Sequence, residues 1–292
     1  MAICADRTVI ITGAGGGLGR AYALAFAAQG ANVVVNDIRA EAAEDVAGEI
    51  RVNGGQAIAN SDDITTLATA QGIVDAALAA FGEVHVLINN AGVLRDRMFI
   101  SLSEEDWDMV MRVHLKGHYC LANILGRRWR DLAKAGTPVD ARIINTSSGA
   151  GLQGSVGQSN YSAAKGGIAS LTLVQAAELA RYGVTANALA PAARTSMTES
   201  AMPDVVKKPD DGSFDAWAAE NVAPLVVWLG SPASAHISGQ IFESQGGRIS
   251  LGDGWRTGVT RDKGALWQVD EIGAAVDAIL AEAPKAQKVW GS

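Results

Sequence analysis

Short runs of β-branched residues alternate along the chain with longer, alanine-rich stretches whose apolar residues have helical spacing. The runs cover residues 8–12, 32–36, 84–88, 142–146 and 184–188. This alternation predicts βαβ units, in which parallel strands are covered by helices. Residues 33–35 are three consecutive valines without a period of two, which is typical of a strand buried on both faces. We therefore predict an α/β fold with a doubly wound parallel sheet.

The pattern changes toward the end of the sequence. An irregular stretch at 252–264 is followed by a helix-like stretch at 270–283. We expect residues 1–247 to form one domain and residues 248–292 to form a C-terminal appendage that packs on this domain or on a partner subunit. A polar segment at 203–212 contains two prolines and two lysines and predicts a flexible loop or lid.

The composition is that of a globular protein with a substantial core, because 48% of the 292 residues are hydrophobic and 19% are charged. The 24 Lys and Arg against 31 Asp and Glu give a formal charge of −7. This balance argues against nucleic acid or an anionic membrane surface as a partner. No apolar run reaches the roughly 18 residues that span a bilayer.

The two cysteines, Cys4 and Cys120, do not form the spaced cluster of a metal site or a disulfide framework. The beginning of the sequence also lacks the charged and apolar regions of a secretory signal. We therefore expect a cytoplasmic protein that uses no metal and acts on a small-molecule substrate.

A glycine-rich loop follows the first predicted strand. It reads Thr12-Gly13-Ala14-Gly15-Gly16-Gly17-Leu18-Gly19 and precedes an alanine-rich helix at about residues 20–29. A strand, a glycine loop and a helix bring a pyrophosphate against backbone N–H groups at a helix N-terminus, where the helix dipole favours negative charge. A flexible turn is the simpler alternative, but the flanking strand and helix favour a dinucleotide site.

Asp37 follows the second predicted strand, where a carboxylate can accept hydrogen bonds from both hydroxyls of the adenosine ribose. The same carboxylate would repel a 2′-phosphate, so NAD is preferred over NADP. Arg39 leaves NADP or dual use open, because its guanidinium could pair with that phosphate. A solvated turn residue is the alternative for Asp37.

Tyr161 and Lys165 lie four residues apart and would share one face of a helix. A neighbouring ammonium favours the tyrosinate and lowers the pKa of the phenol toward the working range of a general base. Ser148 follows the strand predicted at 142–146, so its hydroxyl can reach the same cleft and bind a carbonyl oxygen. Taken alone, the Tyr and Lys pair would be a surface pair, but the glycine loop and Ser148 favour a catalytic one.

These motifs resemble those of the short-chain dehydrogenase/reductase family, from residue 8 to about residue 247. The resemblance implies a Rossmann fold, a nicotinamide cofactor and a dehydrogenase domain at 1–247. It rests on the glycine loop, Asp63-Ile64, Asn89-Asn90-Ala91-Gly92, Ser148, Tyr161 with Lys165, and the stretch 187–191.

The resemblance also assigns residues to the cofactor. It implies that Asp63 and Ile64 contact the adenine, that Asn90 lies on the adenosine side, and that residues 191–196 contact the nicotinamide end. The implied cofactor-binding residues are Gly13, Gly17, Leu18, Gly19, Asp37, Asp63, Ile64, Asn90, Tyr161, Lys165, Pro191, Ala193, Thr195 and Ser196.

Two positions depart from the family pattern. His114 replaces the usual Asn before the central helix, and Ala192 replaces the usual Gly after the proline. A similar His-Leu-basic-Gly pattern occurs in the (3R)-hydroxyacyl-CoA dehydrogenase part of type 2 multifunctional enzymes, which the chain also resembles at 18–26 and 157–161. Related bacterial proteins include steroid-active dehydrogenases, so the resemblance implies a 3-hydroxyacyl-CoA or a hydroxysteroid as substrate.

We place His114 among the candidate catalytic residues with Ser148, Tyr161 and Lys165. A polar ring in an apolar helix is also typical of a structural histidine whose ring nitrogens are hydrogen-bonded within the core. The functional alternative is that His114 positions a water of the proton relay or the backbone of the active site. We do not assign it as a general base.

The sequence therefore predicts an NAD(H)-dependent oxidoreductase that interconverts a secondary alcohol and a ketone, with substrate held by Ser148 and Tyr161. One alternative is an NADPH-dependent 3-oxoacyl-acyl-carrier-protein reductase, and another is a non-catalytic sensor that binds a dinucleotide. The apolar residues Ile168, Leu171, Leu173, Ala177 and Leu179 predict a helix face that pairs subunits into a homodimer or homotetramer.

Overall fold

The computed structural model describes residues 2–201, 203–254, 257–285 and 287–292. Its strands are β1 (Thr8–Thr12), β2 (Asn32–Asn36), β3 (Gln56–Asn60), β4 (Val86–Asn89), β5 (Ala141–Thr146), β6 (Val184–Pro191), β7 (Ile241–Gln245) and β8 (Arg248–Leu251). In the described residues they form an eight-stranded sheet in the order β3-β2-β1-β4-β5-β6-β7-β8. Neighbouring strands are parallel except β7 and β8, which form an antiparallel hairpin.

Helices connect the parallel strands and cover both faces of the sheet. They are α1 (Gly17–Ala28), α2 (Ala40–Val52), α3 (Leu67–Phe81), α4 (Glu104–Met111), α5 (Gly117–Lys134), α6 (Gly149–Gln153), α7 (Ser159–Leu179), α8 (Ser196–Ala201), α9 (Ala223–Gly230) and α10 (Val269–Glu282). A π-helical turn at Arg112–Lys116 joins α4 to α5. No helix in the described part of the chain combines the length and the apolarity needed to cross a lipid bilayer.

The two faces of the sheet bury separate hydrophobic clusters. Val33 and Val35 face one cluster, with Tyr22 and Phe26 of α1, whereas Val34 faces the other. The second cluster also contains buried residues of α3, α5 and α7, namely Ile73, Leu121, Leu125, Trp129 and Ala176. The uniformly apolar valine run is therefore explained by burial on both faces, and the expected doubly wound Rossmann fold is confirmed.

Four buried polar side chains join the two central strands to α7. Asn89 Nδ2 donates to Asn145 Oδ1 at 3.0 Å, and Asn145 Nδ2 donates to Thr172 Oγ1 at 2.9 Å and to Gln175 Oε1 at 2.8 Å. Buried amides are stable only when they are hydrogen-bonded. Because these bonds are directional, they fix the position of α7 relative to the carboxyl ends of β4 and β5.

Three strands, β3, β7 and β8, are not among the runs that the hydrophobic pattern predicts. β3 reads Gln-Ala-Ile-Ala-Asn, which is small and mixed because it lies at the edge of the sheet. β8 contains four residues and pairs with β7, so the sheet extends beyond the domain boundary expected after Gly247. The boundary falls inside a hairpin because the two glycines at 246 and 247 form its turn.

The remaining local expectations agree with the structure within a few residues. The strand expected at 84–88 is β4, which starts two positions later, and the helix expected at 270–283 is α10 at Val269–Glu282. The segment at 203–212 lies outside helices and strands. Its Val206 is buried, and the Val206 oxygen accepts a hydrogen bond from Arg194 Nη1 at 2.9 Å.

Replacing Asn145 by Ala tests the polar connection between β5 and α7. The substitution leaves the Gln175 oxygen without its donor in a buried setting, which costs about 1–3 kcal/mol. We expect the free energy of unfolding to fall by that amount in urea denaturation. A Gln71→Ala variant, which removes an exposed hydrogen bond to Asp75, serves as the control and should change stability by less than about 0.5 kcal/mol. Equal stability of the two variants would contradict a structural role for Asn145.

Candidate active site

A cleft of about 1340 Å³ follows the carboxyl ends of the parallel strands. The strand order places Asp37 after β2, the glycine loop after β1, Asn90 after β4, Ser148 after β5 and Pro191 at the end of β6. All of these positions line the cleft. Such an edge, where the strand order reverses between β1 and β4, is the usual ligand-binding position of a doubly wound sheet.

The glycine loop packs closely against the segment that follows β4. Gly13 has a φ of +62°, and a Cβ added there would lie 2.8 Å from Ala91 Cα. A Cβ at Gly19 would lie 2.8 Å from both Ala14 Cα and Asn90 Nδ2. Asn90 Nδ2 donates to the Thr12 oxygen at 3.0 Å and thereby fastens the loop to β4. Gly19 therefore supports the loop, whereas Gly13, Gly17 and Leu18 line the cleft.

The loop fits a dinucleotide phosphate group. It opens directly into α1, whose N-terminal N–H groups and dipole favour an anion. Across the cleft, a Cβ at Gly17 would lie 3.3 Å from Thr195 Cγ2, so a side chain at Gly17 would fill the space between the two walls. Glycines at these positions keep the backbone accessible to a ligand.

Asp37 is buried, and its hydrogen bonds connect the glycine loop with the segment after β2 at one end of the cleft. Its Oδ2 accepts the Gly15 N–H at 3.0 Å, and its Oδ1 accepts the Arg39 N–H at 3.0 Å and Arg39 Nε at 3.2 Å. The solvated-turn alternative for Asp37 therefore does not describe its environment. Arg39 is paired with Asp37 and remains exposed over most of its side chain.

Asp63 and Ile64 line the same end of the cleft. Asp63 Oδ1 accepts the Thr65 N–H at 2.9 Å, and Asp63 Oδ2 accepts the Thr65 hydroxyl at 2.8 Å. Ile64 is buried and contacts Gly117, where a Cβ would lie 2.7 Å from Ile64 Cδ1. The two residues form a rigid corner of the cleft.

The opposite wall is formed by the segment after β6. Pro191, Ala193, Thr195 and Ser196 line the cleft. The Thr198 hydroxyl accepts the Thr195 N–H at 2.8 Å and donates to the Ala193 oxygen at 2.8 Å. These bonds hold the segment in a fixed turn just before α8.

Ser148, Tyr161 and Lys165 meet at the end of β5. Lys165 Nζ donates to the Thr146 oxygen at 2.6 Å and lies 5.6 Å from the centroid of the Tyr161 ring. The Ser147 hydroxyl donates to the Lys165 oxygen at 2.8 Å and fastens α7 to the same strand end. Ser148 caps α6 by accepting the Ala150 N–H at 3.2 Å, and a hydrogen bond also links Ser148 to Tyr161. Ser148, Tyr161 and Lys165, which the sequence spacing indicates as candidate catalytic residues, therefore lie together at the end of β5.

Burial shifts both ionisable groups of the pair toward their neutral forms. It raises the pKa of Tyr161, which the hydrogen bond to Ser148 lowers and the charge of Asp96 raises. It lowers the pKa of Lys165 to about 7. The expected lowering of the Tyr161 pKa by Lys165 is not what the structure shows, because desolvation of the phenolate is the largest influence.

His114 lies in the π-helical turn and is buried against the site. Its Nε2 lies 2.8 Å from the Val93 oxygen and 3.0 Å from the Val93 nitrogen. Its ring is perpendicular to the Tyr161 ring, with centroids 5.3 Å apart. Burial, and then the charge of Lys165, lower the pKa of His114 to about 3, so the ring is neutral at physiological pH. A Cβ at Gly92 would overlap this ring.

Several residues that line the cleft have no local sequence signal. They are Val156, Trp217, Arg248 and Trp290, and Gln158 from the stretch 157–161 lines the cleft with them. Gln158 Nε2 donates at 2.9 Å to Asp96 Oδ2, and the charge of Asp96 acts on Tyr161. Arg248 and Trp290 belong to the region that the sequence pattern separates from the main domain, so no motif connects them with the site.

Comparison with known proteins gives concordant matches. A family model described as short chain dehydrogenase matches residues 7–205. The chain is 45% identical over 255 residues to hydroxyacyl-CoA dehydrogenase ChsB1 of Mycobacterium tuberculosis, covering 84% of this chain and 79% of that protein. It is 42% identical over 258 residues to mouse peroxisomal multifunctional enzyme type 2, covering 85% of this chain but only 32% of that longer protein.

A solved structure also matches over nearly the full length. It is the crystal structure of a short chain dehydrogenase from Mycobacterium avium, with 50% sequence identity and a TM-score of 0.91. The match covers 99% of this chain and 100% of that chain.

The buried amine of Lys165 predicts a pH dependence of stability. An unfolded lysine has a pKa of about 10.4, whereas burial lowers the pKa of Lys165 to about 7. Between these values the unfolded chain binds a proton that the folded chain does not, so the free energy of unfolding rises with pH. We compare the free energy of unfolding of the unmodified protein with that of a Lys165→Met variant, measured by urea denaturation without added nucleotide. The value for the unmodified protein minus the value for the variant should rise by up to about 1.4 kcal/mol per pH unit.

The exposed Lys116 provides the matched control. A Lys116→Met variant should retain the pH dependence of the unmodified protein, because its amine is solvated in both states. If the free energies of unfolding of the unmodified protein and of Lys165→Met differed by the same amount at every pH, Lys165 would not be desolvated as described.

Proposed function

Since the chain belongs to the short-chain dehydrogenase family, and is therefore an oxidoreductase that acts on CH–OH groups, we propose that it interconverts a secondary alcohol and a ketone with NAD(H). The observation that carries this proposal is the meeting of Ser148, Tyr161 and Lys165 in the cleft that also contains the glycine loop and Asp37. A dinucleotide lying along the strand ends would reach from Asp37 to the Tyr161 hydroxyl.

The proposed substrate is a 3-hydroxyacyl-CoA thioester or a hydroxysteroid. Support comes from the relative named as a hydroxyacyl-CoA dehydrogenase, which the chain matches over most of both lengths. The same cleft also presents apolar side chains, among them Leu94, Val156 and Met197. These side chains suit the hydrocarbon part of either substrate.

The proposed cofactor is NAD rather than NADP. The Asp37 carboxylate is buried, and its two oxygens already accept four hydrogen bonds from backbone or guanidinium N–H groups. A 2′-phosphate placed beside it would bring two anions together with little solvent between them. Arg39 is the group that would favour NADP, but in the structure its guanidinium is hydrogen-bonded to Asp37.

In the proposed oxidation, Ser148 and Tyr161 bind the substrate hydroxyl. Tyr161 removes the hydroxyl proton, and Ser148 donates a hydrogen bond to the oxygen as its charge changes. The nicotinamide of bound NAD supplies the hydride acceptor. Lys165 stabilises the phenolate of Tyr161 electrostatically, since its ammonium lies one helical turn away on α7.

His114 is proposed to position rather than to transfer protons. Its neutral ring packs edge-on against Tyr161 and bonds the backbone of Val93, so it fixes the phenol ring relative to the segment after β4. The second ring nitrogen, Nδ1, is buried without a partner among the described residues and could bind a relay water.

The remaining cofactor contacts are proposed from the positions of the side chains along the cleft. Asp63 and Ile64 would contact the adenine, and Asn90 the adenosine side. The turn that contains Pro191, Ala193, Thr195 and Ser196 would contact the nicotinamide end. The loop residues Gly13, Gly17, Leu18 and Gly19 would bind or support the pyrophosphate, and Lys165 would bond the nicotinamide ribose.

We propose that the protein is cytoplasmic and forms a homodimer or homotetramer through α7. Leu173 and Val174 are about half exposed on this helix, and Ala177 is exposed. Ile168, which the sequence pattern placed on the same face, is instead buried in the protein's own core. The helix α10 has a second partly exposed apolar stripe, made by Ile272, Val276 and Leu280, which supports packing of the 248–292 region on a partner subunit.

A turnover screen with catalytic variants tests the proposed reaction. Purified protein is assayed with NAD⁺ and NADP⁺ against 3-hydroxyacyl-CoA thioesters of several lengths and hydroxysteroids. Tyr161→Phe should lower kcat by about 10²–10⁴-fold, because it removes the proton acceptor, while NADH binding stays unchanged. Ser148→Ala should lower kcat by about 10²–10³-fold. Lys165→Ala should lower activity and also weaken NADH binding.

The pH profile is a further readout of the same assignment. Oxidation requires deprotonated Tyr161, so the oxidative rate should rise with pH. Near-normal turnover by Tyr161→Phe would show that another group transfers the proton. Absence of turnover with tight NADH binding would favour the non-catalytic sensor, and activity confined to NADPH and acyl-carrier-protein substrates would favour the reductase.

Cofactor choice is tested separately at Asp37. We expect NADH to bind more tightly than NADPH in fluorescence titrations. Asp37→Ala should reduce the ratio of the NADPH and NADH dissociation constants by about tenfold, which corresponds to about 1.4 kcal/mol, because it removes the repulsion of the 2′-phosphate. Arg39→Ala is the companion variant, and it should weaken the binding of NADPH more than the binding of NADH. Tighter binding of NADPH by the unmodified protein would refute the NAD assignment.

A further inference from the structure

The final segment of the sequence, Val289–Ser292, pairs with the loop between the two catalytic elements. The Val156 N–H donates to the Trp290 oxygen at 2.9 Å, and the Trp290 N–H donates to the Gly154 oxygen at 3.2 Å. These bonds make a parallel bridge between Ser155 and Trp290. The final segment therefore pairs, in a defined register, with the loop that connects α6, which Ser148 caps, with α7, which contains Tyr161.

The indole of Trp290 lies directly against the residue that follows Ser148. A Cβ added to Gly149 would lie 2.7 Å from Trp290 Cζ2 and would overlap Cη2. Gly149 is the first residue of α6 and has no positive φ, so its backbone would accept alanine. The close approach of the indole is what requires glycine at this position.

The side chain of Trp290 is also partly open to the cleft. Trp290 is 48% exposed, and it lines the cleft together with Gly291, Ser148 and Tyr161. Val156 is 46% exposed and contributes a second apolar surface beside it. A half-exposed indole held by backbone pairing presents a large, rigid apolar contact at little cost in conformational entropy.

The β7–β8 hairpin contributes lining of the opposite character. Gln245 and Arg248 oppose each other in this hairpin, and both line the cleft. The lining is therefore apolar where the final segment lies and polar along the hairpin. A substrate with a hydrocarbon body and a polar end fits this division.

We propose that the final segment is a wall of the substrate site and that Trp290 is a specificity-determining residue that contacts the hydrocarbon body of the substrate beside Ser148. The inference rests on the proposed function, because it takes the reacting alcohol to be held by Ser148 and Tyr161. Trp290 acts on substrate affinity and selection, while proton transfer stays with Tyr161.

The test measures binding and turnover separately with the 3-hydroxyacyl-CoA and hydroxysteroid panel. Trp290→Ala and a variant that ends at Lys288 should raise KM for the preferred compound by about tenfold, with less than about threefold change in kcat. The dissociation constant of NADH should not change. Trp290→Phe should keep most of the affinity because it retains an aromatic face.

Gly149→Ala supplies a double-mutant test of the contact itself. Its added methyl group would displace the indole, so in the unmodified background it should raise KM as Trp290→Ala does. In the Trp290→Ala background the same substitution should change KM by less than about twofold. An equal effect of Gly149→Ala in both backgrounds would show that the indole does not mediate it and would overturn the inference.

The inference and the proposed function fail in different ways. Turnover of the panel with an unchanged KM in Trp290→Ala would overturn the inference alone. Binding of the panel to the NADH complex without turnover would overturn the proposed reaction, and a loss of that binding in Trp290→Ala would still support the substrate wall. If no compound of the panel bound, both would be overturned.

Discussion

The burial of the Lys165 amine is the constraint on which the arrangement of the site depends. A lysine removed from water is costly unless its N–H groups find acceptors, and here the acceptor is the Thr146 oxygen at the end of β5. α7 must therefore lie against that strand end in one register. A Cβ at Gly151 would lie 2.6 Å from the Lys165 backbone, so a glycine in α6 is needed for the same close packing. Tyr161, one turn earlier on α7, is thereby brought to Ser148.

The same burial sets the electrostatics of Tyr161 and Lys165. Desolvation raises the pKa of Tyr161 and lowers the pKa of Lys165, so each group alone favours its neutral form. In a desolvated setting, a phenolate and an ammonium attract each other more strongly than they would in water. His114 adds no competing charge, because its own pKa lies far below neutrality.

The two sides of the cleft are built in different ways. One side consists of segments that are short in sequence, namely the glycine loop with α1 and the residues just after β2 and β4. The other side is assembled from the loop after α6, the β7–β8 hairpin and the final segment.

The sequence by itself determined the doubly wound sheet, because the buried strands and the alanine-rich helices have distinct local patterns. It also determined the glycine loop and the Tyr161 and Lys165 pair, because their chemistry depends on spacings within one loop or one helical turn. Only the tertiary structure decided the position of β8 in the sheet, the direction of the pKa shift at Tyr161 and the contact of Trp290 with Gly149. The physical reason is that pairing at a sheet edge, desolvation and side-chain packing depend on which distant segments meet, and no local periodicity records that.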